Sequence, residues 1–197
     1  MSTATGASQA GQYLTFQLAG EEYAVELLQA REILRYEEVT RVPTAPPSIR
    51  GVLNLRGRVV PVVDLAVKLG LPDTPVTGRT CIVIVDVALE GERTVMGVIA
   101  EAVSQVVDLG AGDIEPPPAF GPRARVEFLR GMARLGERFA LLLDLDLLLS
   151  AEDAAAAVAV AAADGEHAGD GGSTEDADVP FPEVAAAAPA EAAEVGR

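Results

Sequence analysis

The chain has 197 residues, a net charge of −15, one Cys and one His. That acidity argues against nucleic acid and against an anionic membrane surface, because phosphate contacts need clustered Lys and Arg. A lone Cys excludes an intramolecular disulfide and suits a reducing compartment, and one Cys with one His cannot supply the roughly four ligands of a structural zinc site.

The opening MSTATGASQAG has neither a charged n-region nor an apolar h-region and reads as a flexible lead over residues 1–11. Leu14, Phe16 and Leu18 alternate with Thr15 and Gln17, the pattern of a half-buried strand. Ala19 to Glu22 form a turn, and Tyr23-Ala24-Val25 start the returning strand. Leu27, Leu28 and Ile33 fit either a continued strand or one short helical turn. Val39 to Val42 read as a strand ended by Pro43, before the irregular loop that reaches Pro47. Val52 to Leu55 and Arg58 to Val63 form a hairpin in which Gly57 supplies the positive φ of the turn. Pro61 places the second of these strands at an edge or beside a bulge. Leu65 to Leu69 then read as a short helix.

From Thr80 the pattern restarts. Cys81–Val87 and Thr94–Ile99 flank a turn at Glu90-Gly91-Glu92, and Val103–Leu109 continue the run. The apolar context CIVIV implies a buried, inert thiol at Cys81. Pro116-Pro117-Pro118 make a second irregular loop, and Leu135-Gly136-Glu137-Arg138 a second hairpin turn before Phe139–Leu143. Leu145–Leu149 resemble Leu65–Leu69, and Ser150 with Asp153 gives an S-x-x-D helix start.

Segment 49–69 aligns without a gap on 129–149, with seven of 21 positions identical: Arg50/Arg130, Gly51/Gly131, Leu55/Leu135, Arg58/Arg138, Asp64/Asp144, Leu65/Leu145 and Leu69/Leu149. The Pro-rich loops correspond at an offset near 72. This is a duplicated module, about 12–78 and about 79–150, and short strands at this spacing suggest a small antiparallel barrel in each. A closing helix is expected at about 150–157. Beyond residue 150 the chain carries 11 carboxylates against one Arg, with no Leu, Ile, Met, Tyr or Trp. It cannot bury enough apolar surface to offset its ordering entropy, so 158–197 reads as an acidic, Ala/Gly/Pro-rich disordered tail. His167 falls there, far in sequence from Cys81.

No nucleotide-binding glycine motif and no nucleophile elbow occurs, and no catalytic residue, metal site or cofactor is assigned. Asp64 and Asp144 occupy the same place in both repeats and fit helix N-caps better than general bases. The repeats differ at the hairpin tip: Arg56 is matched by Gly136, and Asn54 by Arg134. A fold that keeps its core and changes one tip has specialised that tip, which singles out Arg56.

Residues 49–65, IRGVLNLRGRVVPVVDL, resemble the signature of CheW coupling proteins, with Asn54-Leu55-Arg56-Gly57 at its centre. Residues 12–33, 97–107 and 129–149 resemble that family too, so the similarity covers about 11–155. The resemblance implies an all-β fold of two Src-homology-3-like five-stranded barrels around a shared core. It implies a cytoplasmic, non-enzymatic adaptor, without direct membrane insertion, recruited to membrane-associated receptor arrays. There it would join the tips of methyl-accepting chemoreceptors to the regulatory domain of the histidine kinase CheA. Carried over by position, receptor contacts would be Ala30, Glu32, Gly51, Asn54, Arg56, Gly57, Val103 and Val106, and the kinase or ring contact Ala119 and Phe120. The triple proline before Phe120 and the acidic tail depart from the family pattern. A coupling protein of a parallel chemosensory pathway fits the same residues. A small-ligand-binding double barrel would need a polar pocket of convergent titratable groups, which the sequence does not offer.

Overall fold

The computed structural model describes residues 10–37, 39–42, 45–117 and 126–155. Ala119, Phe120, His167 and the tail from 158 lie outside the described residues. Among the described residues, eleven strands form two sheets. The first half supplies β1 (Gly11–Leu18), β2 (Glu21–Glu26), β3 (Ala30–Arg35), β4 (Ile49–Leu55) and β5 (Arg58–Asp64). The second supplies β6 (Cys81–Leu89), β7 (Glu92–Ala100), β8 (Ala102–Leu109), β9 (Ile114–Glu115), β10 (Leu129–Leu135) and β11 (Arg138–Leu143). Short helices α1 (Leu65–Lys68) and α2 (Leu145–Leu148) follow β5 and β11, and residues 151–155 form α3.

The two sheets cut the chain differently from the two repeats. One sheet runs β8-β1-β2-β11-β10-β9, the other β3-β6-β7-β5-β4. Each repeat therefore lends its opening hairpin to the other half, which corrects the expectation of one barrel per contiguous module. The connections give the reason. A single residue, Glu101, separates β7 from β8, and three residues, Leu27–Gln29, separate β2 from β3. The one-residue link is too short for a hairpin turn, and the three-residue link is taken up by a 3-10 turn, so at both points the chain passes into the other sheet. The undecided stretch around Leu28 resolves as both alternatives in succession, a 3-10 turn at Leu27–Gln29 and then a strand.

Other local readings shift slightly. Val39–Val42 makes no full strand; it is reduced to one bridge, Thr40 with Val52, before the proline loop. The matching pairs Thr40–Val52 and Glu115–Met132 set the loop offset at 75, three more than the proline alignment suggests. β5 is an internal strand, with β4 on one side and β7 on the other. Pro61 is tolerated because the β7 ladder starts only at Val62.

Three apolar clusters explain why so many strands read as continuous apolar runs. Ile82 and Ile84 of β6 face the interior of one barrel with Val60, Val62 and Ile99. The intervening Val83, Val85 and Val87 face a larger cluster shared with Leu14, Phe16, Leu18 and Val25 of the other sheet. A strand buried on both faces loses the polar alternation of a surface strand. The second barrel holds its own small cluster of Tyr13, Ala24, Leu109, Ala133, Ala140 and Leu142.

Ser150 and Asp153 cap α3 reciprocally: Ser150 N and Oγ donate to Asp153 Oδ2, and Asp153 N donates to Ser150 Oγ. Asp153 also meets Lys68 Nζ at 2.6 Å, which ties the closing helix to α1.

Cys81 is buried, and burial pushes its thiol pKa up while a backbone hydrogen bond from Val103 works weakly the other way. A protonated, covered thiol is a poor nucleophile. Ellman's reagent added to native protein is therefore expected to react only as fast as the sheet opens, and stoichiometrically in guanidinium; fast reaction in native buffer would show β6 to be exposed.

Candidate functional site

The hairpin between β4 and β5 turns on Arg56 and Gly57, with φ of 51° and 81°. Positive φ at both central residues is the geometry of a type I′ turn, which matches the twist of the flanking strands. Gly57 takes it freely, whereas Arg56 is held there against its Cβ. Asn54 supports the turn, its Oδ1 accepting from Gly57 N at 2.8 Å. Arg56 is 82% exposed and donates to Glu32 Oε2 at 3.2 Å.

Glu32 owes its aim to a bulge. Ala30 pairs with Val85 and Glu32 with Ile84, so Arg31 is the extra residue. A bulge re-aims the side chains that follow it. Arg31 is drawn to Asp86 on β6, and Glu32 is presented to the hairpin tip. Glu32, Arg56, Arg58, Val60 and Ile84 line a cleft of about 220 Å3 at the mouth of this barrel.

The same bulge recurs in the other half. Val103 pairs with Phe16 and Gln105 with Thr15, leaving Ser104 extra. Ala30 and Val103 are thus equivalent positions on β3 and β8, each an edge strand of its sheet, and both pack on the shared core. Val106, further along β8, is 48% exposed. Among the described residues no hydrogen bond or ion pair joins Val103 or Val106 to the Glu32–Arg56 pair. Gly51 is different in kind: it is buried within β4, and a Cβ there would stand 2.2 Å from Thr40 O. Its side-chain position faces the protein's own backbone.

The mouth of the second barrel is dressed otherwise. Its turn is Gly136-Glu137, and positive φ falls on Gly136 alone. Arg134, in the place of Asn54, bonds Glu115 and lies 5.8 Å from the centre of the Phe139 ring. Ala119 and Phe120 lie outside the described residues.

Beneath both hairpins sits an Arg–Asp pair whose contact the sequence did not show. In each, the residue bulged out of the ladder is an Arg: Arg50 between Ile49 and Gly51, Arg130 between Leu129 and Gly131. Arg50 Nη2 donates to Asp64 Oδ2 at 2.6 Å, and Arg130 Nε to Asp144 Oδ2 at 2.8 Å. Asp64 also caps α1, and Asp144 caps α2, as expected for N-caps. Burial opposes the charge of both guanidiniums. The hydrogen bond and charge of the paired Asp outweigh it and hold each pKa above its usual value. Asp64, Asp144 and Asp146 are thereby engaged as caps and ion-pair partners.

No helix of the described residues is long and apolar enough to cross a membrane. The family model described as a CheW-like domain matches residues 12–153. A chemotaxis protein CheW of Klebsiella aerogenes is 37% identical over 78% of this chain and 90% of its own length. Protein FrzA of Myxococcus xanthus is 31% identical over 70% of this chain and 84% of its own. The crystal structure of the scaffolding protein TtCheW from Thermoanaerobacter tengcongensis superposes with a TM-score of 0.62 and 28% identity, covering 71% of this chain and 92% of that one. The family-model match over residues 12–153 and the 37% identity to a CheW protein over most of both lengths place this chain, with its two barrels, in the CheW family.

Proposed function

We propose that the protein is a non-catalytic cytoplasmic adaptor that couples methyl-accepting chemoreceptors to the histidine kinase CheA within receptor arrays. The observation that carries the proposal is the asymmetry of two otherwise equivalent barrel mouths. Among the described residues only one combines a strained, exposed Arg56 with Glu32 aimed by a bulge, and this is where the resemblance puts receptor contact. Ala30, Val103 and Val106 extend that surface along the edge strands β3 and β8, and Ala119 with Phe120 are assigned to the kinase or ring contact. A receptor tip is a helical hairpin, which docks through apolar contacts positioned by a few charges. Pull-down of purified protein with the kinase regulatory domain and with a receptor cytoplasmic fragment tests this; binding of neither refutes it.

Arg56→His separates binding from folding. His is among the non-glycine residues enriched at positive φ, so the turn survives. The Glu32–Arg56 pair is exposed at Arg56, and such a pair contributes about 0–1 kcal/mol to stability. The thermal midpoint is expected to move by less than about 3 °C, while receptor affinity falls at least about tenfold, as loss of an interface hot spot would give. Unchanged receptor affinity would remove Arg56 from the site.

The FrzA similarity favours a second reading, coupling in a parallel chemosensory pathway. Pull-downs against receptors of the two pathways decide between them.

A further inference from the structure

The interior rows of the first barrel end in charge. Ile82 and Ile84 on β6, Val60 and Val62 on β5, Val95 on β7 and Leu34 on β3 all belong to that barrel's cluster. Side chains two apart on a strand share a face. The same rows therefore reach the mouth as Asp86 on β6, Arg58 on β5, Arg93 on β7 and Glu32 on β3. The bulge adds Arg31, and the hairpin tip adds Arg56. Four guanidiniums thus stand with two carboxylates about the mouth cleft, whose apolar lining is Leu55, Val60, Ile84 and Val95.

Pairing does not cancel the surplus. Arg31 donates through Nε and Nη2 to Asp86 Oδ2, and Arg56 donates to Glu32. Arg93 Nη1 reaches Asp86 O at 3.5 Å but stands 3.9 Å from Asp86 Oδ1, which accepts no hydrogen bond among the described residues. Arg58 is exposed and has no hydrogen bond or ion pair among them. Glu90 and Glu92 line the cleft against α3, on the other side of β7 from Val95. Asp146 takes Ala88 N, two residues along β6 from Asp86, and meets Arg130 at 3.9 Å. Neither group answers Arg58 or Arg93. At the second mouth, by contrast, Arg134 and Arg138 stand with Glu22, Glu115 and Glu137, and no positive charge is left over. In a chain of net charge −15, the first mouth alone of the two carries more positive than negative charge among the described residues.

We propose that the first barrel mouth is a docking surface for an acidic segment of another protein, in which an apolar side chain is flanked by Asp or Glu. The apolar side chain covers Val60, Ile84 and Val95, and the carboxylates meet Arg58 and Arg93. A guanidinium can hold a carboxylate through two parallel hydrogen bonds, and an apolar floor strengthens the attraction over that in open water. The sign of the charge disfavours a basic partner. A surplus of two falls short of the several phosphate contacts of a nucleic-acid site. That the occupant is another protein rests on the coupling reading, because Glu32 and Arg56 on the same rim are assigned there to receptor contact. Arg31, Arg58 and Arg93 are additions to that surface.

The test is a titration of the full, isotope-labelled chain with a synthetic peptide repeating Glu-Leu-Glu, read by amide chemical shifts, with a Gln-Leu-Gln repeat as control. Shifts are expected to centre on Arg31–Glu32, Arg56–Arg58 and Arg93–Val95, to saturate, and to weaken with added salt. The neutral peptide is expected to bind at least about fivefold more weakly. Arg58→Gln with Arg93→Gln is expected to cost the acidic peptide about fivefold as well, the loss of two exposed charge pairs. Arg79→Gln, an exposed arginine before the other end of β6, should cost nothing. Equal affinity in the double variant, or an equal loss in Arg79→Gln, would overturn the proposal. So would a concentration-dependent dimer in sedimentation that the double variant abolishes, because the occupant would then be a second copy. A several-fold gain in peptide affinity when Asp176, Asp178 and Glu183 are made neutral would overturn it too, since the chain's own carboxylates would be the occupant. Both arginine side chains are exposed and circular dichroism checks the fold; Arg58→Gln alone gives a smaller loss of the same sign. The coupling reading fails separately: it is lost if neither receptor fragment nor kinase domain binds, whatever the peptide does.

Discussion

Asp64→Ala is expected to lower the unfolding free energy by about 3–5 kcal/mol, the cost of breaking a buried pair from one side. Asp64 is 0% exposed and accepts four hydrogen bonds. Oδ1 receives Ala66 N at 3.0 Å and Thr74 Oγ1 at 2.7 Å. Oδ2 receives Arg50 Nη2 at 2.6 Å and Thr74 N at 2.8 Å. One carboxylate thus caps α1, neutralises the bulged arginine and pins the loop after the helix. Its removal leaves Ala66 N, Thr74 N and the Thr74 hydroxyl facing a void, and leaves Arg50 only Thr74 O at 2.8 Å and the exposed Asp73 at 3.7 Å. Asp64→Asn should lose less, because the Thr74 hydroxyl can rotate to accept from the new amide and leave mainly Ala66 N–H unmatched.

The repeat supplies the control. Asp144 has 16% of its side chain exposed, and its partners are Arg130 Nε and, at 3.2 Å, Leu147 N. Arg130 keeps Glu26 and Asp146 when Asp144 is lost. Asp144→Ala is therefore expected to cost about 1–2 kcal/mol, near the loss of an ordinary N-cap. Urea denaturation of the two variants side by side decides it. Equal losses would mean that the two supports are interchangeable, and that burial does not set their weight.

How much of this could be read in advance follows the range of the interaction. The turns at Arg56-Gly57 and Gly136-Glu137 were legible because turn chemistry is local, and Asp64 and Asp144 as caps for the same reason. The repeat was legible because 21 residues align without a gap. Counting outward from the first turn even brings Arg50 to within one residue of Asp64, so their contact was nearly within reach. The exchange of hairpins was not. Whether β2 pairs with β3 or with β11 depends on partners about a hundred residues away, and both choices satisfy the same apolar pattern. The equivalence of Ala30 with Val103 was hidden as well, since a bulge is a property of pairing and the segments share no identity there. Leu28 looked like any core leucine in an apolar run. Only the direction of the crossing turns it outward.

Gly51→Ala carries the second large effect, and it bears on what a glycine in a signature motif is for. The resemblance groups Gly51 with receptor contacts, yet its added Cβ would stand 2.2 Å from Thr40 O and 3.1 Å from Val39 Cγ2. Its φ of 154° is itself costly for any residue with a Cβ. Thr40 cannot retreat freely. Thr40 N donates to Val52 O at 2.9 Å and Val52 N to Thr40 O at 2.8 Å, and the same segment buries Val39 in the barrel cluster. Relieving the clash means giving up that bridge and part of that burial. Two hydrogen bonds at about 1 kcal/mol each and much of a valine side chain at about 1.5 kcal/mol put the loss at roughly 3 kcal/mol. The expected result is a thermal midpoint lower by about 10 °C. Receptor affinity measured well below that midpoint should stay within about threefold, because the site it would touch is unchanged when the protein is folded. Arg56→His should show the reverse, binding lost with the midpoint kept. If Gly51→Ala instead abolishes receptor binding at an unchanged midpoint, the glycine is a contact residue after all, and the close approach of Thr40 is not what requires it.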